Sequence, residues 1–322
     1  MERNTGIRKT AIGGSLLGGS LHMMKPEEAI AAGTEDVVIE RDVQGKPYKG
    51  KVLAAIGASV SDIPYFSSGT CKKLMNEGYT GYLIRTSNDE MIGDGTTFQN
   101  IHRTETENTN VAKALGFKEV FNLYYRHHRL DNRMPTDIRA RLIFIFRTIK
   151  ADTVITYLPS DFDDGNPDRL ITFRGVEQAA LMAGIKNNYS EYLDAGLTAY
   201  PVKEFYYAVE KPWQLFNRIV DVGSTIEQKI DAITECKTQG GGSSGSILRK
   251  KLAGEGRRLT ILGNNDRTAD REYVRQFLVE PSKQLGVKYG LQYAEKFYYI
   301  DRRKPEVETV VEEYIKKNAV KV

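Results

Sequence analysis

Cysteine is scarce in this 322-residue chain: only Cys71 and Cys236 occur, far apart and in no C-x-x-C or Cys/His cluster. That excludes a disulfide framework and a cysteine-based structural zinc module. Long apolar runs are missing too. No segment approaches the roughly 20 residues of a membrane-spanning helix, and the nearest candidate, "TAIGGSLLGGSLHMM", is short and glycine-rich. An excess of one charge is also lacking. The 46 basic residues face 42 acidic ones without a concentrated basic block, which gives no reason to expect nucleic-acid binding. No G-x-G-x-x-G follows the first buried strand, so a dinucleotide site is disfavoured. Histidine is limited to His22, His102, His127 and His128.

What is present suffices for a sizeable core, since 40% of the residues are hydrophobic. Residues 1–36 read as a flexible or signal-like segment. Arg3, Arg8 and Lys9 precede its apolar stretch and "AIA" at 29–31 has small-x-small spacing, whereas Lys25, Glu27 and Glu28 interrupt the signal pattern. A periplasmic or extracellular location and a cytoplasmic one both stay open on that reading. From Val37 strand and helix signals alternate, the pattern of βαβ units around a mostly parallel sheet. "KVLAAIGA" is apolar without alternation, as expected of a strand buried on both faces. "TGYLIRTSND", "KEVFNLYY" and "DTVITYLP" follow as strands, with helices such as "PTDIRARLIFIFRTIKA" between them and "NPDRLITFRGVEQAALMAG" after the last. The expected fold is α/β: a Rossmann-like, doubly wound, mostly parallel sheet with helices on both faces, spanning residues 37–207. Residues 208–322 read as a C-terminal extension packed on the same domain, with "GGGSSGS" at 240–246 as a flexible loop.

Open α/β sheets bind ligands outside the carboxyl ends of their strands. Four polar clusters fall there: "ASVSD", "RTSNDE", "YRHHRLD" and "PSDFDDGNPDR". Arg85, Asn88 and Asp89 are candidates for holding a sugar or phosphate by hydrogen bonds, with a loop closed by its own Asx bonds as the alternative. His128 and Arg129 are candidate ligand contacts, with a surface histidine as the plain alternative. Asp161, Asp163 and Asp164 read as a solvated acidic loop, because the glycine and final acidic ligand of an EF-hand are absent.

Taken in order, "GA-x-x-x-D", "GT", "TxND", "LG", "HHRLD" and "NPDR" resemble the PIG-L/LmbE family of zinc-dependent de-N-acetylases, over about residues 50–185. The resemblance implies a sugar deacetylase in which His, Asp and a second His hold zinc and a further Asp is the general base. Carried over by position, the first zinc ligand falls on Ser59, the base on Ser61, the zinc aspartate on Asp62 and the last ligand on Arg169. Only Asp62 is retained. Asn166, in the same "NPDR", is carried over as a substrate contact, and Asp168 keeps the family's P-D pair.

Catalytic zinc needs three nitrogen, thiolate or carboxylate ligands. A serine hydroxyl is a poor neutral substitute, a guanidinium has no lone pair to offer, and Ser61 cannot accept a proton from water as a carboxylate does. Asp62 is therefore expected to pair with Arg169, or on the plainer reading to cap the next helix. The expectation is a homologue without cofactor or hydrolytic activity that keeps an N-acetylated sugar or glycoside as its ligand. Two alternatives stay open: an active deacetylase with zinc held by unidentified ligands drawn from the four histidines, and a noncatalytic interaction scaffold.

Overall fold

The computed structural model describes residues 37–160, 164–302 and 306–320, so the signal-like reading of residues 1–36 lies outside the described residues. Eight strands form one sheet: β1 Val38–Glu40, β2 Val52–Gly57, β3 Thr80–Ser87, β4 Glu119–Tyr125, β5 Thr153–Tyr157, β6 Glu204–Ala208, β7 Arg218–Asp221 and β8 Ala294–Asp301. Helices α1 Asp62–Phe66 and α2 Ser68–Asn76 follow β2, α3 Thr97–Leu115 follows β3, and α4 Pro135–Ile149 follows β4. After β5 come α5 Pro167–Ala183 and α6 Glu191–Asp194. Between β7 and β8 lie α7 Ile226–Glu235, α8 Ser244–Gly254, α9 Asp266–Tyr273 and α10 Glu280–Lys288, and α11 Glu306–Asn318 follows β8.

The spatial order is β1-β7-β8-β6-β5-β2-β3-β4. All pairs are parallel except those of β8, which runs antiparallel to both β6 and β7. The central place of β2 follows from its sequence "VLAAIG", whose small apolar residues serve two layers at once. Ala54 and Ile56 join the core with Leu142, Phe146 and Val176 of α4 and α5. Leu53 and Ala55 join the opposite core with Leu74, Val111 and Ala232 of α2, α3 and α7. This is the expected doubly wound α/β sheet. From β2 the chain proceeds to β3 and β4 on one side and then to β5 and β6 on the other, so the crevice between the carboxyl ends of β2 and β5 is the topological switch point.

The segment after residue 208 supplies β7 and β8, which lie between β1 and β6 inside the sheet. Residues 240–246 are not a flexible loop. Gly240 and Gly241 take φ values of +99° and +75°, a Cβ on Gly242 would stand 2.6 Å from the Thr234 carbonyl oxygen, and α8 already begins at Ser244. Glycine here supplies left-handed backbone and close approach to the end of α7, a use that composition does not separate from linker freedom. Among the described residues no helix is long and apolar enough to cross a membrane.

Candidate functional site

The turn after β2 runs straight into α1, whose first residue is Asp62, 1% exposed. Its Oδ2 accepts the backbone N–H groups of Ala58 (2.8 Å) and Ser59 (3.0 Å), so the carboxylate closes the turn behind it and does not cap the helix ahead. Its Oδ1 accepts from Arg169 Nε at 3.0 Å and lies 2.9 Å from Arg169 Nη2. Arg169 reaches this point because α5 starts abruptly after β5. Asn166 caps the helix by accepting the Asp168 N–H (3.0 Å), Pro167 fixes the first turn, and Arg169 emerges from it.

The guanidinium is held from other sides as well. It lies 4.8 Å from the Tyr157 ring centroid and 5.2 Å from that of Phe66, and Nη1 is 3.4 Å from Asp164. Burial works against the Arg169 charge, but Asp62 and Asp164 outweigh it and hold the group above its ordinary value. Asp164, with 7% of its side chain exposed, is accordingly a buried partner and not part of a solvated loop. Asp161 and Asp163, the other members of that acidic run, lie outside the described residues. Sequence reasoning missed the role of Asp164 together with the aromatic pair.

Ser59 is 3% exposed and its Oγ accepts from Asn166 Nδ2 at 3.4 Å. Ser59, Asp62, Asn166 and Arg169 are thus brought together, as their positions after β2 and β5 require. Ser61 is buried on the side of the glycine turn, where a Cβ on Gly240 would stand 3.3 Å from its own.

The cluster after β3 behaves differently from its reading as a ligand site. Arg85 (1% exposed) and Asp89 (fully buried) pair with each other at 3.0 Å, inside the protein. Asp89, at φ +54°, also accepts the Val60 N–H (2.9 Å) and the Ser87 hydroxyl (2.9 Å), tying the turn after β3 to the turn after β2. Both lie inside the protein, and Arg85 Nε and Nη2 have no hydrogen-bond partner among the described residues. Asn88 closes its own loop, with Oδ1 accepting from Glu90 N and His127 N, which is the Asx alternative.

His127 is buried, with Nδ1 3.2 Å from Asp89 Oδ1 and 3.3 Å from Ser87 Oγ. His128 is exposed at φ +55°, its ring stacked on His127 at 4.0 Å and its N–H donating to Asp168 Oδ2 at 2.7 Å. Arg129 is exposed beside it. Asp168 also accepts the Leu130 N–H (3.2 Å). Burial raises its carboxyl above the ordinary range, with the two N–H donors pulling the other way. Its work is to hold the 128–130 loop against α5.

The zinc implied by the sequence resemblance does not fit these residues. The switch point offers one carboxylate already shared between two N–H groups and a guanidinium, a hydroxyl, and a cation where the last ligand would stand. Among the described residues no group of three His, Cys, Asp or Glu side chains is placed to share an ion.

No family model matches the chain, and no curated protein matches it. Solved structures do. N,N'-diacetylchitobiose deacetylase from Pyrococcus horikoshii, in complex with its inhibitor MPG, aligns with a TM-score of 0.63 at 20% identity, over 89% of this chain and 98% of that one. The fold is shared with a chitobiose deacetylase. The conserved protein TT1542 from Thermus thermophilus aligns with a TM-score of 0.56 at 17% identity, over 76% of this chain and 92% of that one. GalB, the 4-carboxy-2-hydroxymuconate hydratase from Pseudomonas putida KT2440, gives 0.56 at 16%, over 80% and 98%. A hydratase on the same scaffold means that the fold alone does not select the reaction, and the site residues must.

Proposed function

We propose that this chain is a non-hydrolysing homologue of the sugar de-N-acetylases that binds an N-acetylated sugar without releasing acetate. The observation that carries the reading is the Arg169 guanidinium on Asp62 Oδ1, at 2.9 and 3.0 Å. A fixed positive charge stands where the sequence resemblance places the last zinc ligand, and it neutralises the one retained carboxylate. Ser61, at the position of the general base, offers a hydroxyl that does not take a proton from water near neutral pH. The shared fold with a chitobiose deacetylase supports the sugar as ligand class.

The test pairs elemental analysis of the purified protein with an assay for acetate release from N,N'-diacetylchitobiose. The expected results are no stoichiometric zinc, no acetate above the protein-free control, no change in melting temperature with chelator, and a rise in melting temperature with the sugar. Stoichiometric zinc together with acetate release overturns the reading.

A further inference from the structure

A second opening draws on residues after β5, on α5 and on the ends of β6 and β8, and encloses about 640 Å³. That is within the range of about 300–1,000 Å³ typical of small-ligand sites. Its most prominent wall is Trp213, the single tryptophan of the chain, 57% exposed. The ring is fixed in place: Nε1 donates to Ser160 Oγ at 3.1 Å. The next residue, Gln214, accepts the Glu210 and Lys211 N–H groups (3.1 and 2.9 Å) and donates to the Leu158 carbonyl (2.8 Å). A large aromatic face open to solvent, hydrogen-bonded at its edge and carried on a loop pinned by Gln214, loses little freedom on binding. Leu215 beside it is 76% exposed.

One buried polar atom of the lining is unsatisfied. Tyr207 is 2% exposed, packs edge-on against Phe173 at 5.2 Å, and its hydroxyl has no hydrogen-bond partner among the described residues. Burial and the nearby Glu177 push that hydroxyl well above its ordinary range, so it stays a donor. A buried polar group without a partner calls for an explanation, and a ligand oxygen supplies one. Arg174 and Glu177, three residues apart on α5, are exposed and hold no ion pair among the described residues, which leaves a fan of donors and a pair of acceptors at the rim.

An apolar face to cover Trp213, hydroxyls for Glu177 and Tyr207, and acceptor oxygens for Arg174 are the features of one ligand class. A purely hydrocarbon or aryl ligand would fill the cleft and leave the Tyr207 hydroxyl unpaired. We infer that the cleft is a pyranoside site in which a sugar ring lies on Trp213 and its hydroxyls meet Tyr207, Glu177 and Arg174. This rests on the sugar-binding reading above and moves the ligand from the filled switch point to its neighbour.

The full chain is titrated with N,N'-diacetylchitobiose, by calorimetry and by tryptophan fluorescence, which reports on Trp213 alone. The expected results are a saturable fluorescence change with the same midpoint as the heat. Affinity is expected to fall about tenfold in Trp213→Ala and about fivefold in Tyr207→Phe. Both substitutions keep the fold, one being at an exposed residue and the other conservative. Heat of binding with no fluorescence change and no loss in Trp213→Ala places the sugar elsewhere and overturns the cleft while sparing the sugar-binding reading. No heat at all in the unaltered protein overturns both.

Discussion

The switch-point crevice and the Trp213 cleft both draw on residues that follow β5, and they differ in which of their polar groups are paired. In the crevice Asp62 carries two backbone donors and a guanidinium, Arg169 carries two carboxylates and two aromatic rings, and Asn166 spans Ser59 and the start of α5. In the cleft Tyr207 has an orphan hydroxyl, Arg174 and Glu177 hold no ion pairs among the described residues, and an aromatic face is kept open. The position where the resemblance implies metal chemistry holds an internal ion pair, with Asp164 Oδ2 left without a partner among the described residues. Position in the fold locates a crevice; whether its polar groups are satisfied decides what it can still do.

The largest effect that would break this contrast is the return of a metal site. Ser59→His, Ser61→Asp and Arg169→His together supply a nitrogen ligand, a base and a second nitrogen ligand around Asp62. The triple variant is expected to carry stoichiometric zinc by elemental analysis, where Arg169→His alone carries none. A triple variant that folds and stays metal-free would mean that the crevice has lost the geometry as well as the ligands. Next in size is the cost of emptying it. Arg169→Ala leaves Asp62 buried without its cation and is expected to lower unfolding stability by about 3 kcal/mol in chemical denaturation. Trp213→Ala, at an exposed residue, is expected to stay within about 0.5 kcal/mol. Equal costs for the two would erase the distinction between a filled site and an open one.

The fold was legible for physical reasons that can be named. "VLAAIG" is apolar throughout because both faces of β2 are covered, and a strand of that kind must be central. The pairing of Asp62 with Arg169 was implied by the family resemblance, which sets Arg169 at the last ligand position opposite the retained aspartate, and the two turns that carry them lie at the same sheet edge. The supporting contacts were not legible. Asp164 stands in a run of acidic residues that spells exposure, and only the path of the chain into α5 turns it inward. Arg85 and Asp89 follow a strand as binding residues do, yet their i,i+4 pairing inside the protein is invisible in their identity. The glycines at 240–242 have the composition of a linker and the backbone of a tight turn, and composition carries no φ. Which of His127 and His128 faces inward depends on the left-handed backbone at His128, a conformation that histidine does not announce.

That stacked histidine pair gives the smallest of the expected effects and the finest test of how saturated the crevice side is. Burial, followed by the neighbouring His127, lowers the His128 pKa from its ordinary value of 6.5. The folded protein therefore binds this proton less readily than the unfolded chain does. Stability is complete above the unfolded value and falls as the pH drops through it, because only the unfolded state gains from protonation there. His128→Asn keeps a residue tolerant of φ +55°, keeps the backbone N–H on Asp168, and removes the titration. In denaturation curves taken from about pH 8 to about pH 5 the unaltered protein should lose stability relative to this variant as the pH falls, with the gap opening near 6.5. If the two lose stability in parallel, the acid sensitivity belongs to other groups, and the 128–130 loop accepts a positive charge on His128 without cost to the fold.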